Sequence, residues 1–249
     1  MDLKLIAEEF DRDGFAIIPE VFPAIDLREI ERQMSHYIEQ VVPHMNPGEV
    51  YYEDSGSRPL KALHRMQQHS EFFSQLGEDP RLMTIMGSVW PDSEVAVEGV
   101  MCFFKMGRDG SVTPPHQDNA FQCWAPPLAL TATIAIDRST PDNGPLICLR
   151  GSHHVGLLPH HPSGVMGFSQ CLIDGVDTDV YPEVEICMAP GDVAIHHINT
   201  IHHSGSNRTD CARRQLGISF NSLLAKQNEV ALVERRQILA KLHEQHKEH

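Results

Sequence analysis

The chain has 249 residues, 41% hydrophobic and 22% charged, the profile of a globular protein with room for one sizeable core. Thirty-four acidic against 20 basic residues leave a formal charge of −14 with no Lys/Arg stripe, which argues against a nucleic-acid partner or docking on anionic lipid. No run approaches a membrane span, and the N-terminal MDLKLIAEEFDRDG has acids where a secretory leader needs an apolar core. The six cysteines, at 102, 123, 148, 171, 187 and 211, form no CxxC pair, so they read as reduced thiols of a cytoplasmic protein.

Three amphipathic helices are predicted in the first ninety residues. Leu3, Ile6 and Phe10 follow Asp2 and stop at Gly14. Leu27, Ile30, Met34, Tyr37, Ile38 and Val41 form a helical stripe after Pro23, and Leu82, Ile85 and Val89 follow Asp79-Pro80. Residues 44–60, rich in Gly, Pro, Ser and Tyr, read as a loop. From Glu94 the period changes to two. Strands are expected at 94–104, 128–136, 144–149, 184–188, 192–198 and 213–220, parted by turns such as RDGS, PDNGP and APGD. A last helix is expected from Ser222 through Leu224, Ala231, Ile238 and Leu242, ending in the polar, frayed tail HEQHKEH. With no repeat and no linker, residues 1–249 read as a single domain. Its helical N-terminal part (1–90) and C-terminal helix (222–247) flank a β-sandwich or barrel.

Sixteen histidines are too many for all to be ligands, but two clusters stand out. In His116-Gln117-Asp118, residues two apart on an extended chain face the same way, so an imidazole and a carboxylate converge. The second cluster is Ile201-His202-His203-Ser204-Gly205-Ser206-Asn207. Two imidazoles and one carboxylate on one face of a metal leave three positions open, the arrangement of non-haem Fe(II) oxygenases. Each cluster alone is a weak signal, because a surface or hydrogen-bonded histidine is the commoner reading. The strand opening at Arg213 adds a third element. Its alternation puts Arg213, Gln215, Gly217 and Ser219 on a small, polar face and Arg214, Leu216, Ile218 and Phe220 on the other. A guanidinium on the polar face can grip a carboxylate through two parallel hydrogen bonds, although a surface ion pair is the commoner fate of an arginine.

With FDRDGFAIIP at 10–19, HQD at 116–118, DNGPLICLRGSH at 142–153, APGDVAIHH at 189–197 and TIHHSGSNRT at 200–209, the chain resembles the phytanoyl-CoA dioxygenase family over roughly residues 7–221. The resemblance implies a mainly β fold with flanking α-helices around a double-stranded β-helix (jelly-roll, cupin-like) core. It also implies an Fe(II)- and 2-oxoglutarate-dependent dioxygenase that uses O2 to hydroxylate a small organic molecule, with succinate and CO2 as co-products. Position by position, His116, Asp118 and His202 match the iron ligands. Arg213 matches the residue that binds the distal carboxylate of 2-oxoglutarate, Ser204 the supporting hydroxyl, and Met101 and Thr133 the lining of the co-substrate pocket. His203 stands where the family often has Gly, which leaves a choice between His202 and His203. Asp118 favours hydroxylation over halogenation, because related halogenases lack this carboxylate. Arg150 replaces the family's usual proline.

Other residues keep plainer expectations. His153 is expected to be structural, and His196 and His197 packed or supporting the ligands. Phe121 and Trp124 are candidates to roof the substrate, with a core role the commoner one for aromatics. Two alternatives stay open at this point: a cupin-like metalloenzyme that uses no ketoacid, and a non-catalytic metal or small-molecule binding protein. Substrate choice is expected from the N-terminal helices, the 44–60 loop and the 155–183 insertion with His160, His161, Phe168 and Gln170. Acyl-CoA is disfavoured by the −14 charge, with Arg58, Lys61 and Arg65 as local exceptions. No sequence signal sets the oligomeric state.

Overall fold

A computed structural model of the chain describes residues 1–54, 57–108, 110–165 and 168–245, without the side chains of 168, 169 and 238–245. Parts of several expectations lie outside the described residues: Ser55 and Gly56 of the 44–60 loop, Asp109 of the RDGS turn, the Phe168, Ile238 and Leu242 side chains, and tail residues 246–249.

The helices are α1 (Leu3–Asp13), α2 (Ala24–Gln40), α3 (Glu71–Gly77), α4 (Pro80–Val89), α5 (Asn119–Gln122) and α6 (Glu229–Gln245). The first eight strands are β1 (Phe15–Ile18), β2 (Val50–Tyr52), β3 (Leu60–Leu63), β4 (Val95–Lys105), β5 (Thr113–His116), β6 (Trp124–Ala125), β7 (Ala129–Ala135) and β8 (Leu146–Leu149). The rest are β9 (His160–Val165), β10 (Phe168–Leu172), β11 (Glu183–Ile186), β12 (Val193–His197), β13 (His202–Ser204), β14 (Arg213–Ser222) and β15 (Lys226–Gln227).

A seven-stranded sheet runs β1-β12-β7-β14-β4-β3-β2 and a four-stranded sheet runs β11-β8-β13-β5. All the pairings are antiparallel, and side chains of both sheets line one cavity. This is the expected double-stranded β-helix with flanking helices. The helices cover the outer face of the large sheet. Ile6 and Phe10 of α1, Leu27, Ile30, Met34 and Tyr37 of α2, and Leu82, Ile85 and Met86 of α4 join Leu130, Ile134, Leu216, Ile218 and Phe220 in the main core. Burying a side chain of this size contributes about 1.5–3 kcal/mol. The core thus claims one face of β7 and β14 and leaves the other to the cavity.

The Asp2 side chain accepts a hydrogen bond from the Leu5 amide (3.2 Å), and Gly14, at φ +82°, ends α1 with its N–H on the Phe10 carbonyl. The six expected strands are present. Most of the short elements were not expected, among them β1, β2, β3, α3, β6, β9, β10 and β15. β1 is only four residues long, and β2 sits inside the expected 44–60 loop as an edge strand. Helix α3 begins at Ser70, whose hydroxyl accepts from Phe73 N. The C-terminal helix starts later than expected. β14 stays paired to β4 as far as Ser222↔Val95, Leu224 is exposed in the following turn, and Asn228 takes the amides of Val230 and Ala231 at 3.1 and 3.2 Å. Strand pairing therefore wins over the helical pattern up to Gln227.

Candidate metal centre and co-substrate cavity

His202 of β13 pairs with His116 of β5 in register, so both rings leave the same sheet side by side, their centroids 4.2 Å apart. His116 donates from Nδ1 to the Pro114 carbonyl (2.8 Å), and His202 from Nδ1 to the Thr200 carbonyl (2.9 Å). Each ring is thereby fixed in the tautomer whose Nε2 carries the lone pair. The two Nε2 atoms lie 3.7 and 3.5 Å from Oδ1 of Asp118, which follows β5 and opens α5. Ligand atoms of all three residues fit within 4.8 Å of one another. The other carboxylate oxygen, Oδ2, accepts from Thr131 Oγ1 (2.8 Å) and His196 Nε2 (3.1 Å). One oxygen is anchored and the other faces the imidazoles.

The electrostatics follow from burial and proximity. Burial works to raise the Asp118 carboxyl, but His202, His196 and His116 outweigh it and hold it below the usual carboxylate range. Burial pushes both His116 and His202 down, so their rings are neutral lone-pair donors. Two neutral imidazoles and one anionic carboxylate on one side of a point suit a divalent transition metal.

The cavity between the sheets measures about 440 Å³. Arg213, Gln215 and Ser219 line it from β14, and Leu216, Ile218 and Phe220 face the core, as the alternation predicted. Only 3% of Arg213 is exposed, which matters because a buried guanidinium needs partners. It donates to Gln215 Oε1 and to the Gly144 carbonyl (2.7 Å), its Nε is unpaired, and no ion pair to it exists among the described residues. Burial pushes it down to about 10, so it stays charged at neutral pH. Lys105 pairs with Arg213 across β4 and β14 and donates to the Ser111 (2.7 Å) and Gly205 carbonyls. Burial and then Arg213 push Lys105 down to about 7. Lys61 also lines this end, 3.4 Å from Glu53. Arg213, Lys105 and Lys61 against one carboxylate make this end of the cavity basic.

Ser204, Met101 and Thr133 all line the same cavity. His203 lines the cavity too, but its Nε2 bonds Glu183 (2.9 Å) and it is not part of the ligand cluster. His196 points inward to Asp118. His197 packs against Phe10 and accepts from Asn199 N, and His153 bonds the Asp11 carbonyl. Phe121 lines the cavity with its ring 5.5 Å from that of His116, whereas Trp124 is not among the lining residues and bonds Gln122. Arg150 lies 3.8 Å from Asp13. The 155–183 insertion supplies the β9/β10 hairpin, of which Gly164 and Val165 reach the cavity. Its His160 accepts from the Gln117 amide (3.1 Å). The buried Gln117 side chain bonds Gly156, Leu158 and Asn199, clamping the His116–Asp118 segment from behind. Thr131, Lys105 and Gln117 were given no site role from the sequence, and Lys61 was named only as a local exception to the acidic charge. Thr131 alone had a legible signal, since it alternates with Thr133 on the same strand.

The family model for phytanoyl-CoA dioxygenase (PhyH) matches residues 10–215. A probable phytanoyl-CoA dioxygenase of Caenorhabditis elegans is 24% identical, covering 85% of this chain and 72% of that protein. The L-proline trans-4-hydroxylase of Streptomyces griseoviridis is 27% identical, covering 85% and 84%. Among solved structures, EctD from S. alaskensis with 2-oxoglutarate and 5-hydroxyectoine superposes with a TM-score of 0.73 at 18% identity, covering 89% of this chain and 77% of that one. The chain therefore belongs to the phytanoyl-CoA dioxygenase (PhyH) family and has the fold of the iron- and 2-oxoglutarate-dependent oxygenases.

Proposed function

We propose that the protein hydroxylates a small organic molecule, using Fe(II), 2-oxoglutarate and O2 and releasing succinate and CO2. The observation that carries this reading is the sharing of one cavity by two groups: the His116, Asp118 and His202 cluster, and a buried Arg213 that has no carboxylate partner among the described residues. The donor set fits iron because both Nε2 atoms carry the ring lone pair and Asp118 Oδ1 faces them. The unpaired Nε of Arg213 fits a dicarboxylate co-substrate and favours ketoacid use over a ketoacid-free cupin reaction. The relatives named a dioxygenase and a hydroxylase agree with oxygenase chemistry.

In this reading His116, Asp118 and His202 hold the metal, and Thr131 and His196 keep Asp118 from swinging away. Arg213 binds the distal carboxylate of 2-oxoglutarate, with Ser204 supporting it and Thr133 and Met101 as walls. Bound iron and ketoacid supply the oxidising chemistry, in which decarboxylation of 2-oxoglutarate is coupled to oxygen transfer into a substrate C–H bond. The protein's share is positioning and exclusion of water. The chain is read as one domain working without nucleic acid or membrane, in the cytoplasm. The unpaired cysteines agree with a reducing compartment, and no helix among the described residues is long and apolar enough to cross a membrane. Succinate production from 2-oxoglutarate with Fe(II) in air tests the reading. Loss of turnover in Asp118→Ala is expected, and full turnover in that variant contradicts it.

A further inference from the structure

The cavity has a second polar region, away from Arg213. β14 presents Arg213 and Ser219 on the same face six residues apart, roughly 20 Å along an extended strand. At the Ser219 end, Gln122 donates to the Ser219 hydroxyl (3.4 Å), and next to it in α5 stands Phe121, beside His116. Arg235 reaches this end from α6, its guanidinium carbon 5.9 Å from the centre of the Phe121 ring. Arg235 thus sits one aromatic ring beyond a proposed metal ligand.

The Nε of Arg235 is buried without a hydrogen-bond partner, and no ion pair to Arg235 exists among the described residues. His64, on the same wall, also has a buried Nε2 without a partner, and Tyr51 packs edge-on against its ring at 5.2 Å. Arg65 lines the rim and is paired to Glu49 at 3.8 Å. Glu98 lines the cavity too, but it is exposed and makes no ion pair with either arginine. A guanidinium held over an aromatic face with an unused donor is costly unless a ligand completes it.

We infer that Arg235 is the substrate's anion anchor: the substrate is a small organic acid whose carboxylate Arg235 binds, with the His64 Nε2 as a second polar contact. This deepens the hydroxylase reading by naming its substrate class. A single planar guanidinium matches a carboxylate through two parallel hydrogen bonds. The span from Arg235 across Phe121 to the metal ligands suits a molecule of amino-acid size, and the placement leaves Arg213 to the co-substrate.

The test is anaerobic calorimetry on the full chain with Fe(II), with and without saturating 2-oxoglutarate. The probes are benzoate against benzamide and hexanoate against hexanamide. The expected result is that each acid binds about tenfold or more tightly than its amide. That preference disappears in Arg235→Met, which keeps the stem against Phe121, and survives in part in Arg235→Lys. Equal affinity for acid and amide, no measurable binding of either acid, or an undiminished preference in Arg235→Met overturns the inference. Loss of acid binding on adding 2-oxoglutarate also overturns it, by placing the acids at Arg213. Affinity for 2-oxoglutarate, read on the same samples, is expected to match wild type in Arg235→Met. Failure of the wild type to bind 2-oxoglutarate sinks the hydroxylase reading instead, while the acid-to-amide ratio still judges Arg235.

Discussion

His196 Nε2 and Thr131 Oγ1 both close on one oxygen of Asp118, at 3.1 and 2.8 Å, and leave its other oxygen facing His116 and His202. The carboxylate is thus oriented by two neighbours on the large sheet, while the histidines come from the small one. Removing the hydroxyl in Thr131→Val is expected to weaken iron binding on the order of tenfold with the fold intact. Metal titration with a competing chelator reads this directly, and an unchanged affinity would show that Thr131 does not position Asp118.

His202 and His203 are adjacent but face different partners, Asp118 and Glu183. His202→Ala is expected to abolish both stoichiometric iron binding and succinate formation. His203→Ala is expected to retain iron at wild-type stoichiometry, losing only a half-exposed hydrogen bond to Glu183 worth about 1 kcal/mol. The opposite pattern would reassign the third ligand.

Arg213 is buried between Gln215 and the Gly144 carbonyl. Arg213→Ala is expected to raise the KM for 2-oxoglutarate on the order of 100-fold, since removing one partner of a buried charge pair costs several kcal/mol. Arg213→Lys is expected to recover only part of that loss, because a lysine cannot make the two parallel bonds. A KM within a factor of two of wild type in Arg213→Ala would remove Arg213 from the co-substrate site.

Gly144 positions that carbonyl at φ +69°, and an added Cβ would collide with the Gly205 carbonyl oxygen and meet Lys105 Cδ at 3.0 Å. Gly144→Ala is therefore expected to destabilise the fold by about 1–3 kcal/mol and to weaken 2-oxoglutarate binding together with it. Urea denaturation and calorimetry on the same variant check both halves.

His197 lies outside the metal cluster, and burial pushes it down to about 3. The unfolded chain therefore takes up this proton near pH 6.5, before the folded protein does. The stability His197 contributes is complete above pH 6.5 and is lost as the pH falls from there toward 3. Denaturant unfolding is expected to show a positive slope of stability with pH in this window. The slope is expected to be shallower in His197→Gln, by at most about 1.4 kcal/mol per pH unit. An unchanged slope would mean that the ring takes up its proton in the fold at the same pH as in the unfolded chain.

Much of the fold was legible because its long elements obey one period each. The alternation of β14 gives both a core face and a cavity face, and the stripe from Leu27 to Tyr37 gives α2. β1, β2 and α3 were not legible, because three to seven residues carry too little periodicity; their partners on β12, β3 and β4 decide them. In the site, His116, Asp118, His202 and Arg213 stood out through spacing and resemblance. Lys105 did not, and Lys61 did so only as a local exception to the acidic charge, since nothing local separates a buried lysine from a surface one. The orientation of His196 inward and Trp124 away from the cavity likewise depends on tertiary packing.

The most direct test of the central claim is anaerobic addition of Fe(II) and then 2-oxoglutarate to the metal-free protein, followed in the visible spectrum, with Arg213→Ala alongside. The weak charge-transfer band of an iron-chelated ketoacid is expected in the wild type and is expected to be much reduced in the variant at the same 2-oxoglutarate concentration. Iron bound at one equivalent with no band in the wild type would contradict the use of a ketoacid.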